Sequence, residues 1–448
     1  MTLQRFVQLQ AKMQTRSLYQ RSAPGNPWRS TMKQLMNCMI LLQCVGGCGS
    51  ALFAQTRSVP SLTRRNILFI ASEPYFEKSV LFEEQADGYT LYRIPGIVVT
   101  PKGTVLAYCE ARKFSVADRG EIEILLRRSI DGGRTFNPPV QVAHLGPRLQ
   151  RNPVLPPGKE KKDMGGPTEQ TVNNPVAIAS RSGRVHLVYC VEYMRCFVIH
   201  SDDDGQTWSS PREMTLVLDS FRDRIQWQAI AMGPGHGIEL SNGRLVVPVW
   251  MSDYRMPSKT GKAAATIYSD DGGETWSAGA LAIRGGGEAN VVERSDGSVM
   301  LTARNGDPRN RRIVTFSSNG HSNWSVPRIV EELKEPGCMA GVTKHSINQD
   351  APHRLLFSNV QTTQRKHSAR RNLTIHLSPN DGISWPIQRT IEPGPSAYSD
   401  LAVLPDGTIL CFYESGIANP KIKRKRDWAY ANLSLARFNL AWIEGKPR

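Results

Sequence analysis

An all-β chain of repeated four-stranded units, closed into a six-bladed propeller and preceded by an export signal, is what the sequence predicts. Three observations carry that expectation. Short β-rich runs alternate with Gly-rich turns, one turn motif recurs at a regular interval, and charged, apolar and small residues succeed one another near the N-terminus.

The β-rich runs include Tyr92–Thr100, Val105–Cys109, Ile122–Arg128, Arg184–Val191, Leu245–Trp250, Ser298–Ala303 and Thr408–Tyr413. Asn242-Gly243, Asp296-Gly297 and Asp406-Gly407 sit between such runs and read as hairpin turns. No long stretch of residues 66–448 carries helical periodicity. The recurring motif is Ser-x-Asp-x-Gly-x-Thr-aromatic. It appears at Ser129–Phe136, Ser201–Trp208 and Ser269–Trp276, more loosely at Ser378–Trp385, and in degenerate form at Ser317–Trp324. Its Asp or Asn can bond its own backbone in a tight turn, its glycine accepts positive φ, and its aromatic packs inward. One copy every ~50–70 residues is the period of a four-stranded blade, and the length of 66–448 then gives about six blades.

Residues 1–54 read as a basic extension and signal peptide. Arg29 and Lys33 precede the apolar stretch Leu35–Val45, after which come Gly46, Gly47, Cys48, Gly49, Ser50 and Ala51. That order directs export, and the apolar run is too short for a membrane span. Val45-Gly46-Gly47-Cys48 also resembles a lipoprotein cleavage box, which would attach the chain to lipid through Cys48. The expected location is therefore periplasmic, extracellular or at the cell surface.

Charge obeys the same division. Residues 1–65 hold nine Lys or Arg and no acidic residue, which leaves +7 of the formal +16 for the rest. The modest remainder suits a small anionic substrate and argues against nucleic acid as partner. Five of the eight cysteines lie beyond the signal region: Cys109, Cys190, Cys196, Cys338 and Cys411. Their number and spacing give neither a disulfide framework nor a zinc site. Cys190 and Cys196 are placed either to pair across a hairpin or to stay buried thiols.

With Tyr92-Arg93-Ile94-Pro95, the repeated turn motif resembles the sialidase (neuraminidase) superfamily, whose members carry such Asp boxes; the likeness extends over nearly all of residues 85–440. The resemblance implies a set of site residues. Arg93 is by this likeness the first arginine of a triad that binds the substrate carboxylate. Arg304, in Leu301-Thr-Ala-Arg304-Asn305, matches the second. The third falls in Arg370-Arg371-Asn372-Leu373-Thr374, with Arg370 in register and Arg371 adjacent; on a strand only one of the two can line the site. Guanidinium forks suit this role because they bind carboxylates bidentately and stay charged.

Asp118, six residues after Glu110-Ala111-Arg112, corresponds to the general acid/base, and Arg112 to a substrate-contacting arginine. Tyr398 corresponds to the nucleophile and Glu288 to its base, with Glu293 as the competing candidate. A neutral tyrosine approaches a centre that already bears a carboxylate without like-charge repulsion. Its ordinary pKa near ~10 means that an adjacent carboxylate must take its proton. Glu414 corresponds to the acid that holds Arg93. His236, in a glycine-rich segment, reads as structural, and Asn173-Asn174 as part of the wall of the site.

The activity implied is that of an exo-α-sialidase acting on terminal α-linked sialic acids of glycoproteins, gangliosides and oligosaccharides. It proceeds with retention through a sialyl-tyrosine, with no metal or organic cofactor. Transfer enzymes and glycosidases for other nonulosonic acids share the same residues. A propeller that only binds sialic acid would need the arginines but not Asp118, Glu288 and Tyr398.

Overall fold

Twenty-five strands organise the described chain, beginning with β1 (Phe76–Glu83). The computed structural model describes residues 73–143, 146–345, 354–365, 369–416 and 428–445. The expected signal segment at 1–54, with Cys48, lies outside the described residues, as do the first residues of the 66–448 domain.

One sheet holds β2 (Leu91–Val99), β3 (Val105–Arg112), β4 (Ile122–Ser129) and β5 (Val140–Gln141). The next holds β6 (Val172–Ala179), β7 (Val185–Val191), β8 (Arg195–Ser201) and β9 (Arg212–Glu213). After β10 (Ala229–Met232), β11 (Gly235–His236) returns to pair in parallel with β6. A third sheet joins β10 to β13 (Leu245–Ser252), β14 (Lys262–Ser269) and β15 (Ser277–Arg284), with β12 (Ile238–Glu239) also on β13. The fourth holds β16 (Gly286–Glu293), β17 (Val299–Asn305), β18 (Arg311–Ser317) and β19 (Arg328–Lys334). The last begins with β20 (Gly341–His345), β21 (Arg354–Val360) and β22 (Arg371–Ser378). It continues through β23 (Ile387–Val403), β24 (Ile409–Ser415) and β25 (Asn432–Phe438) to β1. The few helices among the described residues are single turns, such as Leu440–Glu444.

This is an all-β, propeller-like fold. The expected six separate sheets are not what is seen: five hydrogen-bonded sheets occur among the described residues. The reason is β23. Its first part pairs with β22 and its second part with β24, so one continuous 17-residue strand fuses two ladders into a seven-stranded sheet.

Apolar faces of successive sheets pack on one another. Val98 and Leu106 meet Ala177 and Leu187 in one cluster, and Val176 and Val188 meet Ile230 and Val247 in another. The repeated turn motif seals these interfaces. Every copy starts at the serine that ends a strand: β4, β8, β14, β18 or β22. In the first copy the Ser129 hydroxyl accepts from Gly133 N at 2.9 Å, and Asp131 accepts from Thr135 N at 3.0 Å. Gly273 in the third copy has φ +92°, and an added Cβ would collide with the His186 ring. The aromatics turn inward: Trp276 joins the cluster of Val176 and Val247, and Trp385 packs with Phe357.

Closure is made by the two ends of the described chain. β1 pairs antiparallel with β25 from Phe76–Phe438 to Glu83–Asn432, with one irregularity near Phe82. Phe438, fully buried, sits in this seam beside Phe76 and Trp442. Phe438→Ala is expected to cost about 3–5 kcal/mol, the loss typical of a large aromatic removed from a packed core. Denaturant unfolding of the purified chain measures this.

Candidate active site

Four strands break their register beside one cavity. In β2 the ladder skips from Arg93 to Gly96, in β6 from Asn173 to Val176, in β16 from Gly286 to Ala289, and in β23 from Ser396 to Ser399. Bulges of this kind re-aim side chains at the ends of sheets. The skipped residues include Ile94, Asn174, Glu288 and Tyr398, and all four line one cavity of about 1010 Å³. Ile94 holds φ +59°, a costly conformation for a β-branched residue, and Asn174 holds φ +51°.

Bulged backbone leaves N–H groups without ladder partners, and buried carboxylates take them up. Glu414 accepts from Ile94 N at 3.1 Å and from Tyr398 N at 3.0 Å. The same carboxylate binds Arg93 through Nε at 2.5 Å and Nη2 at 3.3 Å. Glu110 repeats the device, accepting from Asn174 N at 3.0 Å and from Arg112 Nη2 at 2.9 Å. Glu335 accepts from Gly337 N at 2.5 Å and Cys338 N at 2.8 Å, and holds the buried Arg312 at 2.6 Å.

The three expected triad arginines share the cavity wall. Arg93 is fixed by Glu414, with its guanidinium 4.1 Å from the Tyr430 ring. Arg304 reaches in from the end of β17. Arg370, just before β22, bonds the Tyr430 hydroxyl at 3.0 Å and the Gly337 carbonyl. Arg370 is buried in the wall, whereas Arg371 begins β22 and is exposed outside the cavity.

Tyr398 donates to Glu288 Oε1 in a short hydrogen bond. Arg304 Nη1 spans the pair, 2.8 Å from Glu288 Oε2 and 3.0 Å from the Tyr398 hydroxyl. Burial pushes the Glu288 carboxyl up, but Arg304 and the Tyr398 hydrogen bond outweigh it and hold the group below its ordinary range. Burial and the Glu288 charge drive the Tyr398 phenol well above its ordinary value, against Arg304 and Arg370. The resting pair is thus a carboxylate and a neutral phenol. Glu293 is committed elsewhere, accepting from Ser241 N at 2.8 Å and Ser241 Oγ at 2.7 Å, outside the cavity lining.

Asp118 faces this pair from the loop after β3. Its Oδ1 lies 2.9 Å from Arg112 Nη1, and its side chain is 62% exposed within the cavity mouth. Enclosure by the walls raises its pKa, yet Arg112 and then Arg93 outweigh that, so the carboxyl is held below its ordinary range. Arg112 itself is 1% exposed, braced between Glu110 and Asp118.

His236 is buried against Asp400 at 2.8 Å and does not line the cavity. Asn174 lines it, and Asn173 stays behind the wall. Cys190 and Cys196 face each other across β7 and β8 as free buried thiols. No group of three or more metal-ligating side chains occurs among the described residues, and no helix there is long and apolar enough to cross a membrane.

Sequence reasoning missed much of the rest of the wall. Arg119, Tyr193, Trp250, Tyr254 and Tyr430 all line the cavity. Only Arg119 carried a signal, its adjacency to Asp118; Trp250 comes from within β13, and the tyrosines arrive from turns and loops whose direction no local pattern encodes.

Comparison with known proteins places this geometry in a family. A BNR repeat-like domain matches residues 158–411, more than half of the chain. The chain belongs to this family, within the sialidase superfamily. A sialidase of Micromonospora viridifaciens is 31% identical over 389 residues, covering 83% of this chain. The chain spans only 55% of that relative's length. The solved Hadza microbial sialidase Hz136 matches with TM-score 0.65 at 24% identity, over 82% of this chain and 69% of that one. An intramolecular trans-sialidase from Ruminococcus gnavus matches with TM-score 0.63 at 18% identity, over 83% and 99% of the two chains. These two structural likenesses concern the fold alone.

In this superfamily member, Glu414 is the point where two bulges and an arginine meet. Glu414→Gln leaves Arg93 buried without a countercharge and is expected to cost about 3 kcal/mol of stability, read from the urea midpoint.

Proposed function

We propose that this chain is an exo-α-sialidase that removes terminal α-linked sialic acids with retention, through a sialyl-tyrosine intermediate. The observation that carries the reading is the Tyr398–Glu288–Arg304 cluster facing Asp118 across a cavity that also holds Arg93 and Arg370. A sialoside carries its carboxylate on the anomeric carbon, so arginines that fix the carboxylate also fix the reacting centre beside Tyr398.

The chemistry derives from the resting charges. Glu288, held as a carboxylate, takes the phenol proton as the Tyr398 oxygen attacks the anomeric carbon. Arg304, touching both groups, stabilises the negative charge as it moves between them. Asp118 gives a proton to the departing glycosidic oxygen, then takes one from water as that water displaces the Tyr398 oxygen, to which Glu288 returns its proton. Arg112 and Arg93 outweigh burial and hold Asp118 ionised. A substrate carboxylate on Arg93 weakens that field, and the bound sugar excludes water. Both changes raise the pKa of Asp118 and ready it as an acid.

We also read the architecture as six blades, with β23 completing one and opening the next. The change of ladder within β23 supports that count. The expected substrates remain sialylated glycoconjugates. Transfer enzymes with the same residues are separated by their products, free sialic acid against transferred or anhydro sugar.

The purified chain is expected to release fluorophore from a fluorogenic α-sialoside. Tyr398→Phe should lose at least about a thousandfold in kcat, equivalent to about 4 kcal/mol of barrier. Unchanged release by that variant would remove Tyr398 as nucleophile. The pH profile gives a second check. Asp118 has its lowest pKa in the free enzyme, so kcat/KM should fall with rising pH before kcat does. Arg112→Gln removes the stronger field, and the kcat/KM limb should move to higher pH. Coincident limbs in the wild type would contradict the role given to Asp118.

A further inference from the structure

Beside Asp118 the cavity mouth is built in part by the segment between β5 and β6. Asp118 stands 62% exposed there, and Pro156, Lys159, Lys162 and Asp163 of that segment line the same cavity. A glycosidic oxygen that takes its proton from Asp118 lies within hydrogen-bond reach of it. The rest of the leaving group must then extend over the mouth, where these residues stand.

The segment is held in place by its own bonds. Lys159 N donates to the Pro156 carbonyl at 3.1 Å, closing a turn in which Gly158 takes φ +73°. Glu160 N donates to Asp163 Oδ2 at 2.9 Å, and Asp163 N to the Glu160 carbonyl at 2.9 Å, which winds the single turn Lys161–Met164. Arg151 Nη1 then clamps the carbonyls of Gly165 and Gly166 at 3.1 and 2.6 Å. Gly165, at φ +80°, packs so closely on Gly120 that an added Cβ would collide with the Gly120 Cα. Gly120 is two residues from Asp118, so this contact docks the segment on the loop that carries the proton donor.

The charges of the segment are unequally spent. Lys162 pairs with Glu160 at 2.8 Å, and Lys161 does not line the cavity. Lys159 is exposed in the mouth, and its ammonium has neither an ion pair nor a hydrogen bond among the described residues. Arg93, Arg112 and Arg304, deeper in the wall, each have a carboxylate already. Asp118 gives its oxygen to Arg112, not to Lys159. Enclosure raises the Asp118 pKa, Arg112 and Arg93 outweigh that, and Lys159 adds a smaller pull in the same direction. Its ammonium is thus near enough to be felt at the proton donor while remaining uncommitted. The carboxylate on the anomeric carbon belongs to the triad, so the charge that Lys159 can meet lies on the other side of the scissile bond.

We propose that Lys159 is a specificity-determining residue that reads an oxyanion on the leaving group, so that the chain favours sialosides whose aglycone is itself acidic. This rests on the sialidase reading above. The carboxylate of a second sugar acid and a sulfate on a neutral sugar offer the same chemistry to an ammonium, which recognises charge without demanding a planar fork.

The test uses two matched pairs of substrates on the full chain and on Lys159→Met and Lys159→Arg. One pair is an α2,8-linked disialoside and the same compound with the carboxyl of its leaving residue converted to an amide. The other is a sialyllactose and its counterpart sulfated on the glucose. The ratio of kcat/KM values within a pair, taken from one preparation, does not depend on how much of a variant is folded. The wild type should prefer the anionic member of at least one pair, and which pair it is names the source of the oxyanion. Lys159→Met should shrink that preference by about twofold to fivefold, up to the limit of an ion pair open to solvent. Lys159→Arg should keep it, and salt should weaken it in the wild type but not in Lys159→Met. No preference in either pair, an unchanged ratio in Lys159→Met, or equal losses on both members would overturn this inference and leave the hydrolase reading standing. Release of sialic acid from none of the four substrates by the wild type would overturn the hydrolase reading, and this inference with it.

Discussion

Where a bulge lifts residues out of a β-ladder, their backbone N–H groups lose partners, and in a dry interior that loss must be made good. Here buried carboxylates do it. Glu414 gathers the freed N–H groups of Ile94 and Tyr398, and Glu110 takes that of Asn174. Each also anchors an arginine of the cavity, Arg93 or Arg112. One ionised group thus satisfies the backbone distortion that aims the site and neutralises part of the charge that the site concentrates. Glu335 extends the pattern to the loop whose Gly337 carbonyl holds Arg370. Without these carboxylates the bulges would leave open donors and the arginines would repel one another.

The same arrangement separates the behaviour of neighbouring groups. Tyr398 and Glu288 share a short hydrogen bond and one arginine, yet burial and charge push the phenol up and the carboxyl down. Asp118 is held low by different arginines, Arg112 and Arg93, whose influence a bound carboxylate can weaken. On the proposed reading, the site has proton movement in two places with different triggers: attack at Tyr398 and substrate capture at Asp118.

Much of this was legible in the sequence. The repeated Ser-x-Asp-x-Gly motif encodes a local turn, so each copy forms where the motif stands and its aromatic seals a sheet interface. Arg93, Asp118, Glu288, Arg304, Arg370 and Tyr398 converge on one cavity although 305 positions separate the first from the last. Their motifs could be matched one by one. Arg370 over Arg371 needed the structure, because the start of β22 decides which side chain stays inside. The fusion of two ladders was hidden, since Pro393-Gly394-Pro395, where β23 changes partners, reads in sequence as a break between two strands and not as one continuous strand. The Arg119 wall was also hidden. Burial of an arginine depends on Tyr193, Trp250 and Tyr254 arriving from distant parts of the chain, and no spacing rule records that meeting.

The central claim is that Tyr398 forms a covalent bond with the anomeric carbon, and trapping that bond tests it most directly. A sialosyl fluoride with a second fluorine beside the anomeric carbon should glycosylate the phenol and leave the sugar there, because the added fluorine slows breakdown of the intermediate. Mass mapping after proteolysis should place one sugar on the peptide that contains Tyr398, with none in Tyr398→Phe. A sugar found on Asp118 or Glu288 instead, or steady turnover with no trapped adduct, would contradict the account.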